Sequence, residues 1–243
     1  MALPLLRFFK NGNRNLKAFA NSFVPETLCR MLTEEGVSFT STDTMISVIE
    51  ALTAVTYYEP IAQYVVANGV GRDLIRIINQ TKDFRSYIVT LAIEALWNLI
   101  EVGGPMAVQQ ISSYPEAIPS LKAQFDKVIL KGHKKDDKCL RNEICVLMNF
   151  IVSSSESHQY FVAEDQNKES ILEQMVKYAV HDEVGGGQPL FTCTEEDIEL
   201  KKLLWTQVYQ VLRGSHFEVA NEIASRKQFF KVLLKFLDPN TTT

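Results

Sequence analysis

Residues 85–101, Arg-Ser-Tyr-Ile-Val-Thr-Leu-Ala-Ile-Glu-Ala-Leu-Trp-Asn-Leu-Ile-Glu, constrain the fold more than any other stretch. Ile88, Leu91, Ala92, Ala95, Leu96, Leu99 and Ile100 recur at the three-and-four spacing of one helix face. Val89, Ile93 and Trp97 lie on other faces, so the helix is apolar almost all round. Such a helix must be covered on more than one side, and Trp97 is expected to be buried between neighbouring layers.

The pattern recurs around 44–57, 140–152 and 200–212. In each case a very apolar helix leads through a short break into a second helix and then a third. The anchors Leu52, Leu96, Leu147 and Val208 are separated by 44, 51 and 61 residues. The first interval suits an armadillo or HEAT repeat of roughly 40–47 residues. Each unit is too apolar to stand alone, and stacking buries the surplus faces. The expected fold is all-α: an armadillo/HEAT-like right-handed α-solenoid of about four to five repeats. Its helical domain is expected over 15–238, between a leader at 1–14 and a disordered tail at 239–243. Two insert loops, 131–138 and 181–197, account for the longer intervals. Each falls just before the apolar helix of the next repeat.

Local signals set several breaks. Pro25 disfavours helical geometry in the residue before it and divides 15–34 into two helices. Glu34-Glu35-Gly36 reads as a helix stop. Ser41-Thr42-Asp43-Thr44 offers an N-cap for the next helix.

Composition narrows the function. A net charge of −4 argues against a nucleic-acid binder as a whole. No stretch approaches about 18 uninterrupted apolar residues, so no membrane span is expected, and the short apolar N-terminus lacks the basic region of a signal peptide. Cys29, Cys139, Cys145 and Cys193 are scattered in or beside helical patterns and read as reduced thiols of an intracellular protein.

Little here points to catalysis. His133, His158, His181 and His216 form neither His-x-x-x-His nor His-Glu-x-x-His, and Cys-x-x-Cys is absent, so no metal site and no cofactor are expected. Gly185-Gly186-Gly187 is followed by no Lys-Ser/Thr and reads as a flexible loop. Glu195-Glu196-Asp197 sits where a helix N-terminus favours negative charge. No enzyme and no small-molecule substrate are expected.

Candidate binding residues are of two kinds. Lys131, Lys134, Lys135 and Lys138 form a basic loop, either simply solvated or in contact with an acidic protein surface such as a microtubule. Asn98 and Asn149 share a repeat position, with Gln210 as the third equivalent. An amide there offers donor and acceptor to an extended peptide, as in armadillo grooves, or else caps neighbouring backbone. Ala54 breaks this ladder in the first unit.

Three collinear stretches resemble one family. They are Ile93-Glu94-Ala95-Leu96-Trp97-Asn98-Leu99-Ile100-Glu101, Leu140-Arg141-Asn142-Glu143-Ile144 and Asp197-Ile198-Glu199-Leu200-Lys201-Lys202-Leu203-Leu204. In order and approximate spacing they resemble the family of cilia- and flagella-associated protein 69. That resemblance implies an armadillo-type, non-enzymatic scaffold of the motile ciliary axoneme. It would lie at a C1 central-apparatus projection and contact other central-apparatus proteins, with tubulin a further candidate. It implies location in the cytoplasm, on the cytoskeleton of the cilium. The competing reading is a soluble armadillo adaptor or transport receptor for extended peptides.

Overall fold

The computed structural model describes residues 13–38, 40–164, 169–180, 183–184, 188–189 and 194–214, with the single positions 221, 225 and 234. Apart from positions 221 and 234, the stretches 217–223 and 228–237, expected as the last two helices, lie outside these residues, as do the triglycine loop, the tail, Cys193, His181, His216 and most of the leader. The chain divides into two compact units, Met1–Leu121 and Lys122–Thr243.

In the first unit the helices are α1 (Asn13–Ala20), α2 (Val24–Leu32), α3 (Glu34–Ser38), α4 (Thr42–Val55), α5 (Glu59–Ala67), α6 (Val70–Gln80) and α7 (Tyr87–Ser112). Pro25 sits in the first turn of α2, where its missing N–H costs nothing. The expected stop at 34–36 is instead a new helical turn. Thr33 ends α2 in an extended conformation, and its Oγ1 accepts from Gly36 N at 3.1 Å to start α3. Gly36 is required there, because a Cβ would lie 2.2 Å from the Arg30 carbonyl oxygen. Ser41 caps α4 as expected, accepting from Thr44 N at 3.2 Å.

Helix α7 carries the opening stretch and packs against α4, α5 and α6. Ile93, Leu96 and Leu99 of α7, Ile49 and Leu52 of α4, Ile61 and Val65 of α5, and Leu74 and Ile78 of α6 supply this core; all are fully buried or nearly so. Each such side chain contributes about 1.5–3 kcal/mol. By length and composition alone α7 could cross a membrane, but most of it is buried against these neighbours. Gly104 kinks it, with φ 61° and ψ −149°, a conformation essentially reserved for glycine. Pro105 follows, and the kink is the short break expected between the apolar helix and the second helix of the unit.

Trp97 corrects the first expectation, because it is half-buried. Tyr87, Thr90, Glu94, Trp97 and Glu101, at the three-and-four spacing of one face, form the flank of α7 that its neighbours leave uncovered.

Helix α8 (Ala117–Lys131) contains the division between the units. The second unit continues with α9 (Lys135–Val152), a 3₁₀ turn (Ser155–Ser157), α10 (His158–Val162), α11 (Ile171–Val180), the hairpin β1 (Glu183–Val184) and β2 (Gln188–Pro189), and α12 (Glu195–Gly214). Helix α12 packs along α9 and α11. Ile144, Leu147, Met148 and Ile151 of α9 meet Leu200, Leu204 and Val211 of α12, all buried.

The basic insert also differs from expectation. Lys131 ends α8 and Lys135–Lys138 form the first turn of α9, leaving only 132–134 between helices. Asp137 explains the early start. Its carboxylate accepts from Lys134 N at 3.2 Å, and Asp136 and Asp137 both complement the helix N-terminus. The second expected insert, 181–197, likewise ends inside α12, which begins at Glu195.

Candidate functional site

Asn98 is 5% exposed, and its Nδ2 donates to the Thr53 carbonyl at 3.0 Å and the Thr56 hydroxyl at 2.6 Å. It fastens α7 back onto α4. Asn149 is 8% exposed, and its Nδ2 donates to the Leu203 carbonyl at 3.1 Å, fastening α9 forward onto α12.

The two asparagines therefore do not share a repeat position. On α7 the uncovered flank runs Tyr87, Thr90, Glu94, Trp97, Glu101; on α9 it runs Cys139, Glu143, Val146, Phe150, Ser153. Asn98 follows Trp97 by one residue and Asn149 precedes Phe150 by one. At about 100° per residue they project from opposite sides of that flank. Matching Trp97 with Val146 on these flanks makes Cys145, two residues before Leu147, the equivalent of Leu96. Both are wholly buried, so apolar pattern alone could not choose between them.

Gln210 lies beside the exposed Tyr209, half-buried, with its Oε1 hydrogen-bonded to nothing among the described residues. Sequence reasoning missed Gln207, which is completely buried. It follows the exposed Thr206 by one residue, as Asn98 follows Trp97, and that offset was the available signal.

The lysines separate into two groups. Lys131, Lys134 and Lys135 are exposed. Lys138 is buried, because the first turn of α9 turns it inward against α12. Its Nζ lies 2.6 Å from Asp197 Oδ2 and also donates to Thr194 Oγ1 at 3.1 Å. Arg141 Nη2 lies 3.1 Å from Asp197 Oδ1 and donates to the Glu196 carbonyl at 3.2 Å. Asn142 Nδ2 donates to the same carbonyl at 2.8 Å. Burial pulls the Arg141 guanidinium below its ordinary value, and Asp197 opposes that shift. Arg141 and Asp197 are both almost wholly buried. This cluster joins the Leu-Arg-Asn-Glu-Ile stretch to the start of the Asp-Ile-Glu-Leu stretch, so two widely separated elements of the resemblance form one structural tie.

A second tie in the same unit holds α8 to α11. The buried Lys122 Nζ donates to Asp126 Oδ1 at 2.7 Å and to Gln174, and it lies 5.9 Å from the centre of the Tyr178 ring.

Burial pushes the thiols of Cys29 and Cys145 up to about 12, and both are protonated at neutral pH, unlike an activated nucleophile. Among the described residues no group of three His, Cys, Asp or Glu is placed to hold a metal ion. A small cavity in the first unit, beside Leu52, Thr56 and Leu99, is mainly apolar. What this arrangement does chemically is tie helices together.

Asn98→Ala is expected to destabilise the first unit by about 1–3 kcal/mol, because the Thr53 carbonyl and the buried Thr56 hydroxyl lose the donor that ties them to α7. Urea denaturation followed by circular dichroism measures this. Asn98→Asp should cost at least as much, since it places a carboxylate against a carbonyl.

The chain matches the family model described as cilia- and flagella-associated protein 69, ARM repeat, over residues 11–243. It is 30% identical over 118 residues to cilia- and flagella-associated protein 69 of Mus musculus, which covers 46% of this chain and 12% of that relative. The Homo sapiens protein of the same name is 28% identical over 120 residues, covering 47% of this chain and again 12% of the relative. The chain thus spans only a small part of the length of these relatives. The helical units, the inter-helix ties and a family match over nearly the whole chain agree: the chain belongs to the armadillo-repeat family of cilia- and flagella-associated protein 69.

Proposed function

We infer that the chain is a non-enzymatic structural scaffold of the motile ciliary axoneme. It works through protein–protein contacts at a C1 central-apparatus projection of C1b type and so supports ciliary beating. Family membership carries this reading. The helical packing is in keeping with it, because the buried polar groups of Asn98, Asn149, Lys138 and Arg141 are engaged in internal ties that hold the surface in place. Its partners are other central-apparatus proteins. Lys131, Lys134 and Lys135 are exposed, with Lys135 3.7 Å from Glu196, and suit an acidic surface such as tubulin, whereas Lys138 is buried against Asp197. A peptide clamp built on Asn98 and Asn149 is disfavoured, since both amides already serve neighbouring helices.

Extraction of axonemes tests this reading. The tagged chain, expressed in multiciliated cells, should stay with the axoneme after detergent and leave only in high salt. Complete release with detergent would overturn the scaffold reading and favour a soluble adaptor.

A further inference from the structure

The uncovered flanks of α4 and α7 adjoin and carry carboxylates interspersed with aromatic rings. By the 44-residue repeat interval, Asp43, Glu50, Thr53 and Tyr57 of α4 and its C-terminal turn are the equivalents of Tyr87, Glu94, Trp97 and Glu101 of α7. All eight are exposed or half-buried. The flanks lie side by side, since the Tyr87 hydroxyl donates to Glu50 Oε1 at 3.0 Å. That hydrogen bond, with the nearby carboxylates of Glu50 and Glu94, holds the Tyr87 phenol above its ordinary value.

The charge on this surface has one sign. No lysine or arginine occurs between Arg30 and Arg72, nor between Arg85 and Lys122, so neither helix supplies a cation to its own carboxylates. Among them stand two exposed aromatic rings, Tyr57 at 69% and Tyr87 at 56%, with the half-buried Trp97 on the same flank. A merely solvated face would not need three large aromatic side chains. Carboxylates with intervening aromatic faces are the complement of guanidinium and ammonium groups, which pair with the first and stack on the second.

We propose that this α4–α7 surface docks a Lys/Arg-rich segment of a partner protein. From Tyr87 to Glu101 the flank is about 21 Å long, at 1.5 Å per residue of helix. That accommodates about six residues of extended chain. Recognition comes from side chains alone, because the asparagines that could hold a peptide backbone are turned inward. The same negative potential repels nucleic acid and anionic lipid. The proposal holds wherever in the cell the chain works.

Calorimetric titration of the whole chain with a short peptide alternating Arg and Gly tests it. Saturable binding is expected, weakening with added salt and falling at least about tenfold in Glu50→Gln/Glu94→Gln/Glu101→Gln. A matched Glu–Gly peptide should not bind. If the triple variant fails to fold by circular dichroism, Asp43→Asn/Glu101→Gln, changed only at exposed positions, carries the same test. Unchanged affinity in the folded variant, equal binding of the acidic peptide, or no binding at low salt overturns the proposal. So does sedimentation showing a dimer that these substitutions dissolve, because a second copy would then occupy the surface.

Discussion

Asp197→Ala lowers the stability of the second unit by about 3–5 kcal/mol, because it strands two buried cations at once. Lys138 and Arg141 stay enclosed between α9 and α12 while their shared counter-charge disappears. The loss comes from the uncompensated charges rather than from the strength of the original pair, and this has a checkable consequence. Changing Lys138 to Met, Arg141 to Leu and Asp197 to Leu together should recover most of the stability lost in the single variant. Urea denaturation of the three forms, with Trp205 fluorescence reporting on α12, gives both results. A near-neutral Asp197→Ala would show that the cluster is open to water.

Leu96→Ala costs about 2–5 kcal/mol in the first unit, since Leu96 is 1% exposed and α7 cannot close the resulting space without losing contact with its neighbours. Trp97→Ala, one residue away and larger, should cost less than the roughly 3–5 kcal/mol of a fully buried tryptophan. Trp97 is half-buried on the uncovered flank, and water already reaches part of the ring. Chemical denaturation of the two variants ranks them. A larger loss for Trp97→Ala than for Leu96→Ala would mean that α7 is rotated, which would remove the aromatic contribution to the proposed docking surface.

Apolar periodicity made the helices legible, and the stripe from Ile88 to Ile100 is buried as its spacing requires. Breaks at Pro25 and Ser41 were legible because each depends on local backbone chemistry. The rotation of each helix was harder to read. Helix α9 has apolar residues on both sides of its open flank, so Cys145 and Leu147 served equally well as anchors, and Asn149 was paired wrongly with Asn98. The fate of the lysines was illegible for a different reason. Whether Lys138 belongs with Lys135 in solvent depends on Asp197, 59 positions later, and no local pattern carries that information. Gln207 was overlooked because its importance lies in burial, which only the packing of α12 reveals.

Density for the intact axoneme at a resolution that separates helices tests the central claim most directly. The account predicts the two helical units at a C1 projection of the central apparatus, with neighbouring proteins against their exposed faces. Finding them on the doublet microtubules, or finding no density for them in axonemes that contain the chain, would contradict it.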